Sequence, residues 1–154
     1  MARLKNFRLQ KVLEFKEHLE ALGTLEMHKA KARQNEAEQV LGQLQHSKDQ
    51  LLQQASEQLQ QHTQIDLNEL KIKLSYLDQL HNSIENQYKN VENLKSVVEQ
   101  KRAELNNAVK ERKILETLKD HFQANQKHDI QKAEMEKIDE IAIRKKPSSE
   151  ESGE

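Results

Sequence analysis

Leu70, Leu77, Ile84, Val91, Val98 and Leu105 stand seven positions apart in an unbroken series. A companion row begins at Leu80 and Leu94 and continues through Ala108, Leu115 and Phe122. Between the rows the chain is almost wholly polar, as in Glu85, Asn86, Lys89, Asn90, Glu92 and Asn93. Apolar residues at this repeat, each with a companion three or four positions later, make one narrow stripe on a helix. The stripe is too narrow for a globular core and suits one partner helix packed along its length.

The first half of the chain supplies that partner. A helical pattern begins at Phe7, Leu9, Val12, Leu13, Phe15 and Leu19 and continues through Leu22, Met27, Ala30, Ala37, Leu41, Leu44, Leu51, Ala55 and Leu59. Gly23 and Gly42 fall inside it, each costing roughly 1 kcal/mol against Ala, and predict softness without a break. The strong interruption is His62-Thr63-Gln64-Ile65-Asp66. Asp66 suits an N-cap, Glu69 completes a capping-box pattern, and Ile65 with Leu70 suits a hydrophobic staple. A second helix is then predicted from Leu67 to about Ile143. Glu69 with Lys73 and Glu85 with Lys89 have the favourable acid-first order on its surface.

The predicted fold is all-α: a long antiparallel two-helix coiled coil, a helical hairpin whose second helix overhangs the first. Residues 1–6 are a basic lead-in, 7–146 the hairpin with its turn at about 62–66, and 147–154 an acidic tail expected to be disordered after Pro147. A turn near residue 64 pairs positions whose numbers sum to about 129 in an antiparallel coil. Leu59 then meets Leu70, Ala55 meets Leu74, Leu41 meets Tyr88, Ala37 meets Val91, Ala30 meets Val98 and Phe7 meets Phe122. Lys48 opposite His81 is the polar exception. Helix rise gives ~80 Å for the first helix and over ~110 Å for the second. The excess, from Asn125 to Ile143, leaves Ile130, Met135, Ile138, Ile141, Ala142 and Ile143 without a partner in the hairpin. Such residues suggest a binding surface, either within a dimer or toward a protein partner. The same end collects Arg3, Lys5, Arg8, Lys11, Arg144, Lys145 and Lys146, either as a solvated end or as a dock for an acidic partner.

Composition sharpens this picture. Charged residues are 33% and hydrophobic ones 34%, with three Gly and one Pro, so material for turns is scarce and strands are disfavoured. Twenty-five basic against 26 acidic residues give a net charge of −1, which disfavours a nucleic-acid binder. The chain has no cysteine, hence no disulfide framework. No apolar run approaches the ~20 residues of a membrane span, and the opening residues do not form a signal peptide. These features suggest a cytoplasmic protein.

Seven histidines raise the question of a metal. None has the i, i+4 spacing that places two ligands on one helix face, so no metal site is expected. There is no phosphate loop and no nucleophile motif, and a two-helix rod offers no pocket in which to desolvate carboxylates. No catalytic residue, cofactor or small-molecule ligand is expected, and the chain reads as a structural protein. Tyr88 falls on the apolar seam and reads as core, whereas Tyr76 lies off it and reads as a contact residue.

Several stretches together resemble the flagellar type III export protein FliJ family. They are Phe7-Arg8-Leu9-Gln10-Lys11-Val12-Leu13-Glu14, Tyr76-Leu77-Asp78-Gln79-Leu80, Val98-Glu99-Gln100-Lys101-Arg102, Ala108 to Glu116, and Lys137-Ile138-Asp139-Glu140-Ile141-Ala142. Their order and spacing carry the likeness over nearly the whole chain. The resemblance implies a two-helix coiled coil similar to the central stalk of rotary ATPases. It implies partners in the hexameric export ATPase, the cytoplasmic domain of the membrane export gate, and export chaperones, at the inner-membrane base of the flagellum. By resemblance the ATPase-ring contact falls on Phe7, Leu9, Val12, Leu13, Ile138, Asp139, Glu140 and Ala142, and the gate contact on Tyr76 and Leu80. Ser47 and Leu51 stand near where some members carry first-helix tyrosines. The alternative reading is a coiled-coil stalk or scaffold subunit of a non-flagellar secretion system or of a V-type ATPase.

Overall fold

A computed structural model describes residues 5–61, 64 and 66–145. Helix α1 spans Gln10–Gln60 and helix α2 spans Leu67–Arg144; there is no strand among the described residues. The two run antiparallel as a helical hairpin, the all-α fold that the heptad rows predict. Within the expected turn, His62, Thr63 and Ile65 lie outside the described residues, as do Met1–Leu4, Lys146, Pro147 and the acidic tail.

The start of α2 shows why the chain turns there. Asp66 Oδ1 accepts the backbone N–H of Asn68 at 2.9 Å, and the Asp66 carbonyl accepts that of Leu70 at 3.0 Å. Asp66 thus caps the helix. Glu69 does not close a capping box. Its carboxylate takes the Lys73 ammonium at 2.9 Å and the Gln58 amide at 3.3 Å, because both donors project from helix surfaces toward it. Lys73 also donates to Gln58 Oε1 at 2.5 Å, so three side chains close a triangle between the helices. The Lys73 hydrogen bond first, and then that of Gln58, hold the Glu69 carboxyl below the usual glutamate range.

The described residues form two compact units, 20–107 and 5–19 with 108–145. In the first, the row Leu70, Leu77, Ile84, Val91, Val98 and Leu105 turns inward, with Val91 only 3% exposed. The second row is Lys73, Leu80, Gln87, Leu94 and Lys101, alternately polar and apolar. Across from it, Ala30, Gln34 and Ala37 are buried. Two alanines let the backbones approach closely enough for Gln87 Nε2 to donate to the Ala37 carbonyl at 2.9 Å. Buried Gln34 donates to Glu38 Oε1 at 2.7 Å, which satisfies its amide inside the seam. A Cβ built on Gly23 would sit 3.4 Å from Leu105 Cδ1, whereas one on Gly42 meets nothing within 4 Å. Helix α1 runs unbroken through both.

Three seam assignments are corrected. Tyr88 is 56% exposed, and Gln87 takes its place facing α1. Leu74 is exposed and Lys73 takes its slot. Leu59, expected against Leu70, is exposed as well. The cause is common to the first two: strict 3–4 spacing selects the position, and a long polar side chain can lie along the seam with its stem buried and its head outside.

In the unit of residues 5–19 and 108–145, the rows exchange roles. Ala108, Leu115 and Phe122 now carry the apolar row, and the other continues as half-buried Arg112, Lys119 and Gln126. Leu13 is 2% exposed. The rings of Phe7 and Phe122 stack tilted by 48° with centroids 5.7 Å apart, the pair that the antiparallel register requires. Lys16 bridges to Glu111 at 2.5 Å, and Gln126 Nε2 donates to the Lys5 carbonyl at 3.1 Å. The helix starts at Gln10, three residues after Phe7; the Gln10 N–H bonds the Phe7 carbonyl at 3.1 Å, which makes Phe7 a lead-in anchor.

Candidate interaction site

The chemistry of this chain lies on its surface. Among the described residues no three metal-ligating side chains converge, and no helix is long and apolar enough to cross a membrane. What distinguishes one surface from another is how its charges are spent. In residues 20–107, six of the ten basic side chains are ion-paired: Lys29, Lys73, Lys89, Lys95, Lys101 and Arg102. All six are i, i+3 or i, i+4 pairs on one helix, which neutralise the surface locally. The Lys89 ammonium holds Glu85 below the usual glutamate range, and Glu92 holds Lys95 above the usual lysine range, both by hydrogen bonding first.

In the terminal unit, three of the thirteen described basic residues are ion-paired within it: Lys16, Arg112 and Arg144. Unpaired cations gather around a cleft of about 1030 Å3 where the segment before α1 lies against α2. Phe7, Phe122 and Ile130 supply its apolar surface, and Lys5, Arg8, Lys11, Lys119 and Lys127 its rim. Glu14 is the one carboxylate among its lining residues, and it already accepts the Gln10 amide at 3.1 Å.

Residues 131–145 are all exposed, so α2 outruns its partner, but the overhang begins later than the expected Asn125. Gln126 and Ile130 are half-buried, and Gln126 donates to the Lys5 carbonyl, so Ile130 is not left without a partner. Three of the overhang's apolar residues, Met135, Ile138 and Ala142, are not a continuation of the seam. Carrying the half-buried positions 126 and 130 forward in steps of three and four reaches Ala133, Lys137, Glu140 and Arg144. Met135, Ile138 and Ala142 form their own i, i+3, i+7 line on the order of 150° around the helix from that direction. Ile138 is 64% exposed. Extending α1 would leave this line uncovered.

The residues expected at the ATPase ring therefore divide. Leu13 is core, and Phe7 is half-buried against Phe122. Leu9 and Val12 are exposed on α1 and its lead-in; Ile138, Asp139, Glu140 and Ala142 are exposed on the overhang, where Glu140 accepts Arg144 at 2.7 Å. Of the two residues expected at the gate, Tyr76 is 50% exposed and Leu80 is 6% exposed. The cleft as a unit was missed by periodicity, because its rim draws on both ends of the chain; the clustering of basic residues near each end was the signal available.

A paired two-helix coil bearing exposed apolar lines and unpaired cations at its terminal unit belongs to the class of coiled-coil proteins with surfaces suited to contact. The model of the flagellar FliJ protein family matches residues 5–149, nearly the whole chain, and the chain belongs to that family. It is accordingly a component of flagellar protein export, a structural one. No curated protein and no solved structure matches it significantly.

Proposed function

We propose that this chain is the central stalk of the flagellar export ATPase ring, couples that ring to the cytoplasmic domain of the membrane export gate, and escorts export chaperones. It would act at the cytoplasmic face of the inner membrane, at the flagellar base. The observation that carries the proposal is the exposed Met135–Ile138–Ala142 line, turned away from the seam on a helix that outruns its partner. An apolar line on an unaccompanied helix is the kind of surface a helix-accepting groove or channel covers. Leu9 and Val12 add a second exposed apolar patch in the same unit. At the gate, exposed Tyr76 would make the contact, whereas Leu80, expected there too, is buried in the seam and would not be reachable in the folded coil.

The test is reconstitution with the purified export ATPase. Addition of the chain should promote ring assembly and raise ATP turnover, and Ile138→Asp should abolish both while leaving helicity intact. An unchanged ATPase, or an Ile138→Asp variant as effective as the parent, would overturn the stalk assignment. Tyr76→Ala should lower retention of the chain by the gate's cytoplasmic domain without altering ATPase stimulation.

A further inference from the structure

We infer that the cleft between the segment before α1 and α2 is a docking site for an acidic amphipathic helix from a partner protein. Its floor and its rim make different demands, and one ligand class meets both. Phe7, Phe122 and Ile130 offer apolar surface, which a polyanion without apolar groups would leave unsatisfied. Around them stand five cations, and none is ion-paired among the described residues. The sole lining carboxylate, Glu14, is committed to Gln10. A ligand must therefore bring bulky apolar side chains on one face and carboxylates beside them. Size points the same way. On α2 the cleft runs from Lys119 to Gln131, a span of about 18 Å at helical rise, which is the length of roughly three helical turns.

Nucleic acid fits less well, because phosphates would engage the rim and leave the phenylalanines open, and the chain as a whole carries a net charge of −1. The cleft shares the terminal unit, and Phe7, with the expected ATPase-ring contact, but the stalk proposal is carried by the Met135–Ile138–Ala142 line on a later stretch of α2. Loss of peptide binding by the cleft variants with ATPase stimulation kept, or the reverse in Ile138→Asp, tells the two apart.

The experiment uses the full chain and a labelled synthetic peptide of about 14 residues, with Leu and Phe at i, i+3, i+4 and i+7 and Glu at the flanking positions. Titration should show saturable binding that weakens as salt rises, and amide exchange should slow in residues 5–14 and 119–131 only. The triple variant Lys11→Glu/Lys119→Glu/Lys127→Glu should bind at least about tenfold more weakly with unchanged helicity, and should accept the Lys-for-Glu version of the peptide instead. Ile130→Asp, away from the Phe7–Phe122 pair, should lose the acidic peptide while the coil stays folded. The inference is overturned by no binding, by equal binding of a basic or scrambled peptide, or by protection confined to residues 131–145. It is also overturned if anionic vesicles or duplex DNA compete while the peptide does not. Concentration-dependent dimerisation abolished by the triple variant would assign the cleft to a second copy. Tighter peptide binding by Glu150→Gln/Glu151→Gln would assign it to this chain's own acidic tail. Either result would displace the partner helix.

Discussion

Residues 20–107 and the terminal unit are built from the same helices but resolve charge and apolarity in opposite ways. In the first, the regular apolar row is continuous, its polar companions Gln87, Lys73 and Lys101 lie along the seam, and cations are neutralised by neighbours on the same helix. In the second, the continuous row ends at Leu105 and its successors are Arg112, Lys119 and Gln126. Packing there rests on Leu13 and the Phe7–Phe122 pair, while cations and isoleucines remain open. Self-sufficient local pairing makes a surface that needs nothing further. Unmatched cations beside apolar side chains make one that a partner completes. The contrast is why both proposed contacts of greatest weight fall in the terminal unit.

The contrast can be broken most forcefully from inside the first unit. Val91→Asp places a carboxylate at a position 3% exposed, against the apolar side chains of the seam. It should cost on the order of 3 kcal/mol and lower the midpoint of thermal unfolding followed by circular dichroism. An unchanged midpoint would show that the seam is not where unit 20–107 gets its stability. Phe122→Ala comes next. The ring is half-buried, so a loss of about 2 kcal/mol is expected, below that of a fully buried phenylalanine. Amide exchange should accelerate in residues 5–19 and 108–130 and stay slow around Val91; equal acceleration throughout would mean the two units do not differ in how they are held.

Gly42→Ala sharpens the comparison from the stabilising side. Nothing occupies the space a Cβ would enter, so the variant should gain roughly 1 kcal/mol from helix propensity alone, read as a higher unfolding midpoint. A loss would mean the glycine serves a contact that the hairpin does not contain. The smallest effect concerns acid. The Glu69 carboxyl is held below its usual range in the folded chain, so its contribution is present above the ordinary glutamate range and disappears as pH falls through the depressed folded value. Amide exchange near Gln58 and Lys73 should rise in that window, and Glu69→Gln should remove the pH dependence. The same acid shift should leave exchange around Phe122 unchanged.

Much of this was legible in the residues. The seven-residue series Leu70 to Leu105 predicted one helix partner, and the pairing of Phe7 with Phe122 followed from a turn placed near residue 64. Asp66 announced the start of α2. Tyr88 was misplaced because apolarity was weighed above spacing: Gln87 occupies the inward slot, and its amide reaches a carbonyl that only the small Ala37 exposes. Leu80 was expected at the gate by resemblance, yet its side chain faces the seam, since it stands three positions from Leu77 in the inward series. The overhang was readable as apolar, but its direction was not until the half-buried positions 126 and 130 fixed the phase.

By itself the amino-acid order determined that two helices form, that they pair antiparallel, and which residues of α2 make the continuous row, because heptad periodicity is a local property that survives any choice of partner. Tertiary structure alone decided which cations go unpaired and that residues near both ends of the chain enclose one cleft. The cleft depends on contacts between residues more than a hundred positions apart, such as the Lys5 carbonyl and Gln126, and no periodicity along a single helix encodes it.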